Sequence, residues 1–332
     1  LATTKSHRQA LDSELVRFGT NVYYLSGRVN KESTYETIEI GYSALLKKKV
    51  AKVSGRAVNK LGAIIGNLNI VLFSPEELDL IKRGPAARRR FMDIFLSQID
   101  KVYLANLQQY QKVLAHRNEC LRKLNIGAGS YSVLDAYDEQ FIDLAVRMGK
   151  RRSVALSKMG QLFINHSKVL NLDKEKLSFH YVNSFGDREG NEKDIQQIAT
   201  KIKENRAHEI RRGTSLAGPH RDDISFLING RGAAAYASQG QQRTAILSLK
   251  LAEMDYMKSV TGEYPVLLLD DVLSELDESR RSALFLILKG KLQSIITGTD
   301  LEIMAEAFDK EKMNVLRIRQ GKVTQLRCDK GC

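Results

Sequence analysis

Residues Tyr236–Asp277, YASQGQQRTAILSLKLAEMDYMKSVTGEYPVLLLDDVLSELD, decide how the rest of the chain is read. The first part, Ser238-Gln239-Gly240-Gln241-Gln242, is a polar turn with one glycine, set directly before a helical run. A serine in that place can cap the helix, and the free N–H groups of the first turn suit an anion. Val266-Leu267-Leu268-Leu269 follows as an unbroken apolar run, the pattern of a strand buried on both faces. It ends in Asp270-Asp271, two carboxylates at a strand's C-terminal edge, where α/β sheets place ligands. Ser274-Glu275-Leu276-Asp277 then forms a polar turn ahead of another helix. Each piece alone also has a plain structural reading, as a turn or a cap. Their order and spacing are what point to phosphate chemistry.

Composition sets the bounds around this stretch. The 332 residues can bury a substantial core and divide into two lobes. With 52 Lys and Arg against 39 Asp and Glu, the formal charge is +13 and the isoelectric point about 9.5. Such an excess favours a polyanionic partner with salt-dependent binding, although a solvated basic surface would also fit. The absence of tryptophan and of interleaved basic and aromatic segments speaks for duplex backbone rather than a stacking platform for single strands. No apolar run reaches the length of a membrane span and no secretory pattern opens the chain, which argues against insertion or export. Cys120, Cys328 and Cys332 show neither zinc spacing nor a disulfide framework, as expected in a reducing cytoplasm.

Four stretches together, TKSHRQALDSELVRFG from Thr4, FSPEELDLIKRGPAARRRFMD from Phe73, LAGPHRDDISFLINGRGAAAYASQGQQRT from Leu216 and the VLLLDDVLSELD strand, resemble the ABC-type ATPase heads of SMC and RecF proteins. Within that group the chain is similar to the RecF family, and the likeness covers nearly its whole length. The resemblance implies an α/β, ABC-type (SMC-like) ATPase head with a mixed sheet and an inserted α-helical arm. The head is expected at residues 1–90 and 213–332, the arm at 91–212.

The resemblance also implies roles. Asp270 would hold Mg²⁺ through water, and Asp271 would orient the attacking water. Arg8 would approach nucleotide phosphates. Ser238, Gln239, Gly240 and Gln241 would reach the γ-phosphate of ATP bound by a second head, with Asp277 at the dimer seam. Thr297, in Thr297-Gly298-Thr299-Asp300, stands where transporter heads carry a switch histidine. An aspartate at position 271, where many such heads have glutamate, suggests slow hydrolysis. The implied function is DNA repair and recombination: an ATP-dependent homodimer clamps duplex DNA at gaps or junctions and, with RecR, helps RecA load.

No G-x-x-x-x-G-K-[ST] loop occurs, and Thr4-Lys5-Ser6, the nearest fragment, lacks the glycines. The expectation is a fragment without its first strand and phosphate loop, binding ATP weakly or not at all. Two other classes stay open. One is a non-enzymatic DNA-binding scaffold. The other is a transporter ATPase subunit, disfavoured by the arm, the missing histidine and the basic charge.

Along the chain, Val22–Leu25 and Thr34–Ile40 read as an antiparallel strand pair, and Leu68–Phe73 as a further strand. Lys47-Lys48-Lys49 reads as a solvated edge. Gly84-Pro85 opens a helix in which one or two of Arg88, Arg89 and Arg90 meet phosphate or acidic groups. Between Phe91 and Arg212 the pattern is helical, in helices a few turns long, with Tyr137, Phe141, Leu144 and Met148 as a packing seam. Lys150-Arg151-Arg152 and Lys201 with Lys203 give the arm basic faces. Phe179–Gly190 is a loop or short strand, Gly218–Asp223 a structured turn back to the head, and Ile224–Ile228 with Ala233–Ala237 a hairpin. Val315–Ile318 and Val323–Leu326 make a closing hairpin.

Overall fold

A computed structural model describes the chain except residues 9, 32–33, 172–173, 187–191, 289–291, 300–313 and 327–332. Asp300, Cys328, Cys332 and the end of the Phe179–Gly190 stretch lie outside the described residues. In order, the elements are β1 (Val22–Asn30), β2 (Tyr35–Ser43), β3 (Lys48–Val53), β4 (Arg56–Ala57), β5 (Ile70–Phe73), α1 (Asp79–Lys82), α2 (Pro85–Ile99), α3 (Lys101–Asn125) and α4 (Tyr131–Asn171). They continue as β6 (Leu177–Val182), α5 (Glu192–Arg212), β7 (Asp223–Ile228), β8 (Arg231–Gly232), α6 (Ala233–Tyr236), α7 (Gln239–Thr261) and β9 (Val266–Asp270). The last are α8 (Glu278–Leu288), β10 (Ser294–Thr297), β11 (Val315–Arg319) and β12 (Lys322–Leu326).

Strands β1 to β4 form one antiparallel sheet in sequence order, closing a small core of Ile38, Ile40, Ala51 and Ile64. The expected pair of strands is present and extends to Asn30 and Ser43. Lys49 departs from the solvated-edge expectation. Its Nζ lies 2.6 Å from the Thr4 carbonyl and 2.5 Å from Asp12 Oδ1, with the side chain only 11% exposed, and so ties the start of the chain to β3.

A second sheet, parallel, has the order β10-β9-β5. Leu267 and Leu269 of the central strand are fully buried, while Val266 and Leu268 are only half-covered, so β9 is less symmetric than its apolar run suggests. Parallel pairing sends all three strand C-termini to one edge, which sets the site.

The helices share one core with this sheet. Phe95 of α2, Tyr103 of α3, Phe141, Met148 and Phe163 of α4, Ile246 and Met257 of α7 and Leu269 of β9 belong to a single buried cluster. Helix α4 corrects the expectation of short helices: it runs 41 residues, about 60 Å at 1.5 Å per residue. Its glycines interrupt nothing because the helix lies along both α3 and α7, and that packing outweighs local propensity.

The expected hairpin after Gly218 forms only in part. Asn229 (φ 47°) and Gly230 (φ 77°) make the tight turn, but the returning strand is two residues long and Ala233–Tyr236 turns helical. The long partner of β7 is β6, with Phe179 opposite Phe226 and the Phe163 ring packed against both. The closing hairpin β11–β12 forms as expected, around Gln320 and Gly321 with positive φ. Among the described residues no helix is long and apolar enough to cross a membrane.

Candidate functional site

The C-terminal edge of the parallel sheet gathers four of the expected residues. Asp270 ends β9 with its side chain about one-third exposed. Thr297, at the end of β10, donates its hydroxyl to Asp270 Oδ1 at 2.7 Å. The other carboxylate oxygen lies 3.5 Å from Arg8 Nη2. Asp271 follows in the left-handed region (φ 53°), a conformation aspartate tolerates better than most residues. Its N–H donates to Thr297 Oγ1 at 3.1 Å, and its Oδ1 accepts from the Ser274 hydroxyl at 3.2 Å. The pair of carboxylates is therefore held in two fixed directions by one threonine and one serine.

Arg8 also faces Glu76, 3.8 Å from its Nε, in the turn that follows β5. Hydrogen bonds from the Glu76 backbone N–H and from Ser74, together with the Arg8 charge, hold that carboxyl below its ordinary value. Glu76 did not stand out in the sequence; the parallel register, which aligns the ends of β5 and β9, brings it in, whereas Ser274, in the polar turn after the carboxylates, reaches Asp271 locally.

Ser238, Gln239, Gly240 and Gln241 stand apart from this edge. Ser238 caps α7 in a reciprocal box: its Oγ accepts from Gln241 N at 3.3 Å, and Gln241 Oε1 accepts from Ser238 N at 2.6 Å. Gln241 Nε2 continues to Glu175 Oε1 at 2.5 Å. Gly240 leaves room for the Arg280 guanidinium, whose terminal nitrogens would lie 3.9–4.0 Å from a Cβ placed there. Arg280 in turn donates to Thr244 Oγ1 at 2.8 Å and pairs with Asp277, which caps α8. Asp277 thus joins the Ser238 group through Arg280. The two groups are linked within the chain by Arg243, bound to the Glu275 carbonyl and carboxylate at 2.9 and 3.2 Å.

A third cluster, unforeseen, ties the helices to the turn Pro219–Arg221. Arg152 is 1% exposed and bonds Asp222 (2.8 Å), Asp93 (2.7 Å), Tyr103 (2.9 Å) and the Pro219 carbonyl (2.7 Å). Arg151 pairs with Asp100. The basic run 150–152 is therefore largely structural rather than a free face. Arg117, fully buried, holds Asp138, Glu209 and Ser215 at 2.6–2.7 Å. Of the three consecutive arginines, Arg88 forks onto both oxygens of Asp223 at 2.6 and 2.9 Å.

No family model matches the chain. The DNA replication and repair protein RecF of Lactobacillus johnsonii is 42% identical over 315 residues, covering 94% of this chain and 84% of the relative. RecF of Staphylococcus aureus strain N315 is 39% identical over 330 residues, 97% of this chain and 87% of the relative. Two solved structures of the recombination mediator protein RecF in the RecFOR pathway, RecF-ATPrS and RecF-ATP, match with TM-scores of 0.88 and 0.86 at 34% and 33% identity, covering 98% of this chain and 86% of theirs. Sequence and architecture agree along almost the whole length, and this chain, with the fold of an ABC-type ATPase head, belongs to the RecF family of DNA replication and repair proteins.

Proposed function

We propose that the chain works as an ATP-gated, dimeric DNA clamp of recombinational repair, acting on duplex DNA at gaps or junctions and, with RecR, aiding the loading of RecA. The division into a head (1–90 and 213–332) and an arm (91–212) belongs to this reading. One observation carries it: Arg8, Asp270, Asp271 and Thr297 converge on one sheet edge, while the capped serine of α7 presents its N-terminus elsewhere. A helix start whose bonds go to Glu175 and not to those carboxylates is available to a phosphate held by a second molecule. Nucleotide shared between two heads makes dimerisation depend on ligand, by mass action.

The residues fit Mg²⁺ as it occurs with phosphates. Mg²⁺ keeps several waters and needs one or two carboxylates. Asp270 supplies one, already oriented by Thr297, and no cluster of three His, Cys, Asp or Glu among the described residues offers an all-protein cage. When bound, the ion would neutralise charge developing on a transferred phosphoryl group. Asp271, turned by its left-handed backbone and held by Ser274, orients the attacking water. Its short side chain makes hydrolysis a slow timer. Arg8 exchanges Asp270 and Glu76 for phosphate oxygens, for which a permanently charged fork is suited. Ser238, Gln239, Gly240 and Gln241 offer the N-terminal turn of α7 to the partner's γ-phosphate, and Asp277 lies at the seam.

The sequence contains no Walker A loop, so the test uses a chain with a relative's loop segment fused ahead of Leu1. Light scattering should report a dimer with ATP and a monomer without it, and Ser238→Arg should keep the protein monomeric. A dimer that survives Ser238→Arg would overturn the reading.

A further inference from the structure

The junction between the helices and the turn Pro219–Arg221 holds four arginines whose charges are not equally matched. Arg88 has both oxygens of Asp223, and Arg152 has Asp93 and Asp222. Arg89 and Arg221 have only carbonyls: Arg89 Nη1 donates to the Asp222 carbonyl at 3.2 Å and Arg221 Nη2 to the Ser215 carbonyl at 3.3 Å. Among the described residues neither forms an ion pair with a carboxylate. Both Asp222 and Asp223 are nearby, but their oxygens are already taken, by Arg152 and Ser184 N at Asp222 and by Arg88 at Asp223. Burial, with the charges of Arg221 and Arg152, holds the half-buried Arg89 guanidinium below its ordinary value, against the pull of Asp223 and Asp222. His220 adds no compensating change near neutral pH: burial pushes it down to about 4, and its ring spans Tyr110 and the Ser215 carbonyl.

The structure therefore leaves two guanidiniums, close enough for the charge of Arg221 to bear on Arg89, each with a backbone carbonyl as its bonded partner. Each keeps most of its five N–H donors for something else. Arg90, exposed on the next position of α2, and the N-terminal end of that 15-residue helix add to the positive field. We infer that Arg89 and Arg221 form a two-arginine seat for a backbone phosphate of duplex DNA. A phosphodiester presents planar pairs of anionic oxygens that match the guanidinium fork, and the +13 charge of the chain favours DNA over a free anion as its source. The inference rests on the DNA-binding reading above and adds to it a place. The turn that carries the seat leads directly into β7 and from there to Ser238, so a phosphate held here would load the same segment that presents the signature.

The test is binding of a fluorescein-labelled duplex oligonucleotide across a salt series, for the unaltered chain and for Arg221→Gln, Arg89→Gln, the double variant and Arg221→Lys. Each lost phosphate contact should flatten the slope of log affinity against log salt by about 1. Because both arginines hold the same phosphate, the double variant should lose about 1 in all and each single glutamine variant no more than that, whereas Arg221→Lys should keep the original slope. Circular dichroism checks folding. If Arg89→Gln fails to fold, the exposed Arg221→Gln carries the comparison alone. An unaltered chain that binds duplex with a steep salt slope, while the glutamine variants keep that slope, overturns the seat and leaves the DNA reading standing. An unaltered chain without salt-dependent binding sinks both. A seat that instead binds polyglutamate, with DNA affinity unchanged by the substitutions, also overturns it.

Discussion

Replacing Asp222 by alanine should destabilise the fold by about 4 kcal/mol. The residue is 1% exposed and satisfies three donors: Oδ2 accepts from Arg152 Nη1 at 2.8 Å and from the Tyr181 hydroxyl, and Oδ1 from Ser184 N at 2.9 Å. Removing one member of a buried ion pair costs about 3–5 kcal/mol, and each stranded buried donor about 1–3 kcal/mol. The total falls a little below the lower sum of about 5 kcal/mol because Arg152 keeps Asp93, Tyr103 and the Pro219 carbonyl, so its charge is not left bare. Asp222→Asn keeps an acceptor of nearly the same shape and should cost about 2 kcal/mol. Urea unfolding followed by circular dichroism measures both, with the m-value unchanged if the unfolded state is unaffected. A loss below about 1 kcal/mol for the alanine variant would mean that the cluster is not what pins the turn Pro219–Arg221, and the reasoning would fail.

Other consequences are as direct. Burial raises the Glu253 carboxyl from its ordinary 4.5 to about 7, although Lys250 at 3.2 Å pulls it down. Its contribution is complete below pH 4.5 and is lost as pH rises through about 7, so Glu253→Gln should gain about 2 kcal/mol relative to the parent between pH 5 and pH 8. His220, depressed to about 4 from 6.5, has the opposite sign, present above 6.5 and lost as pH falls through 4, which is why the variant-minus-parent difference is the quantity to measure. A flat difference would refute the assignment. Phe163→Ala, at a fully buried ring between Phe179 and Phe226, should cost about 3–5 kcal/mol in the same urea assay. At Asp271 (φ 53°) glycine should be tolerated, whereas valine should cost about 1–2 kcal/mol more; equal stabilities would deny the strain.

What could be read from the sequence was local. A capping box needs residues three apart, and Ser238 with Gln241 displays it; a buried strand ending in two carboxylates is visible in Val266–Asp271. The closing hairpin was visible for the same reason, since Gln320-Gly321 states its own turn. What could not be read depended on partners far away in the chain. Lys49 looks like any edge lysine until Asp12 and the Thr4 carbonyl meet it. Arg152 looks like one of three surface cations, yet its ligands come from residues 93, 103, 219 and 222. The length of α4 was hidden in the same way, because its glycines weaken it alone and its two long packing partners restore it.

This division has a physical consequence for the site. The locally written parts, the serine cap and the carboxylate strand, carry the groups that would meet nucleotide. The non-locally assembled parts, Arg152 with Asp222 and Lys250 with Glu77, fix how those groups stand relative to the long helices. Lys250 sits in the middle of α7, buried, with its ammonium 2.7 Å from Glu77 and 4.8 Å above the Phe91 ring. Glu77 is the neighbour of Glu76, which faces Arg8. A displacement of the capped start of α7 along its axis must therefore either break a buried pair, at about 3–5 kcal/mol, or carry the Glu76–Arg8 edge with it. Moving the edge costs less, because Glu76 and Arg8 are solvent-exposed and only loosely paired at 3.8 Å.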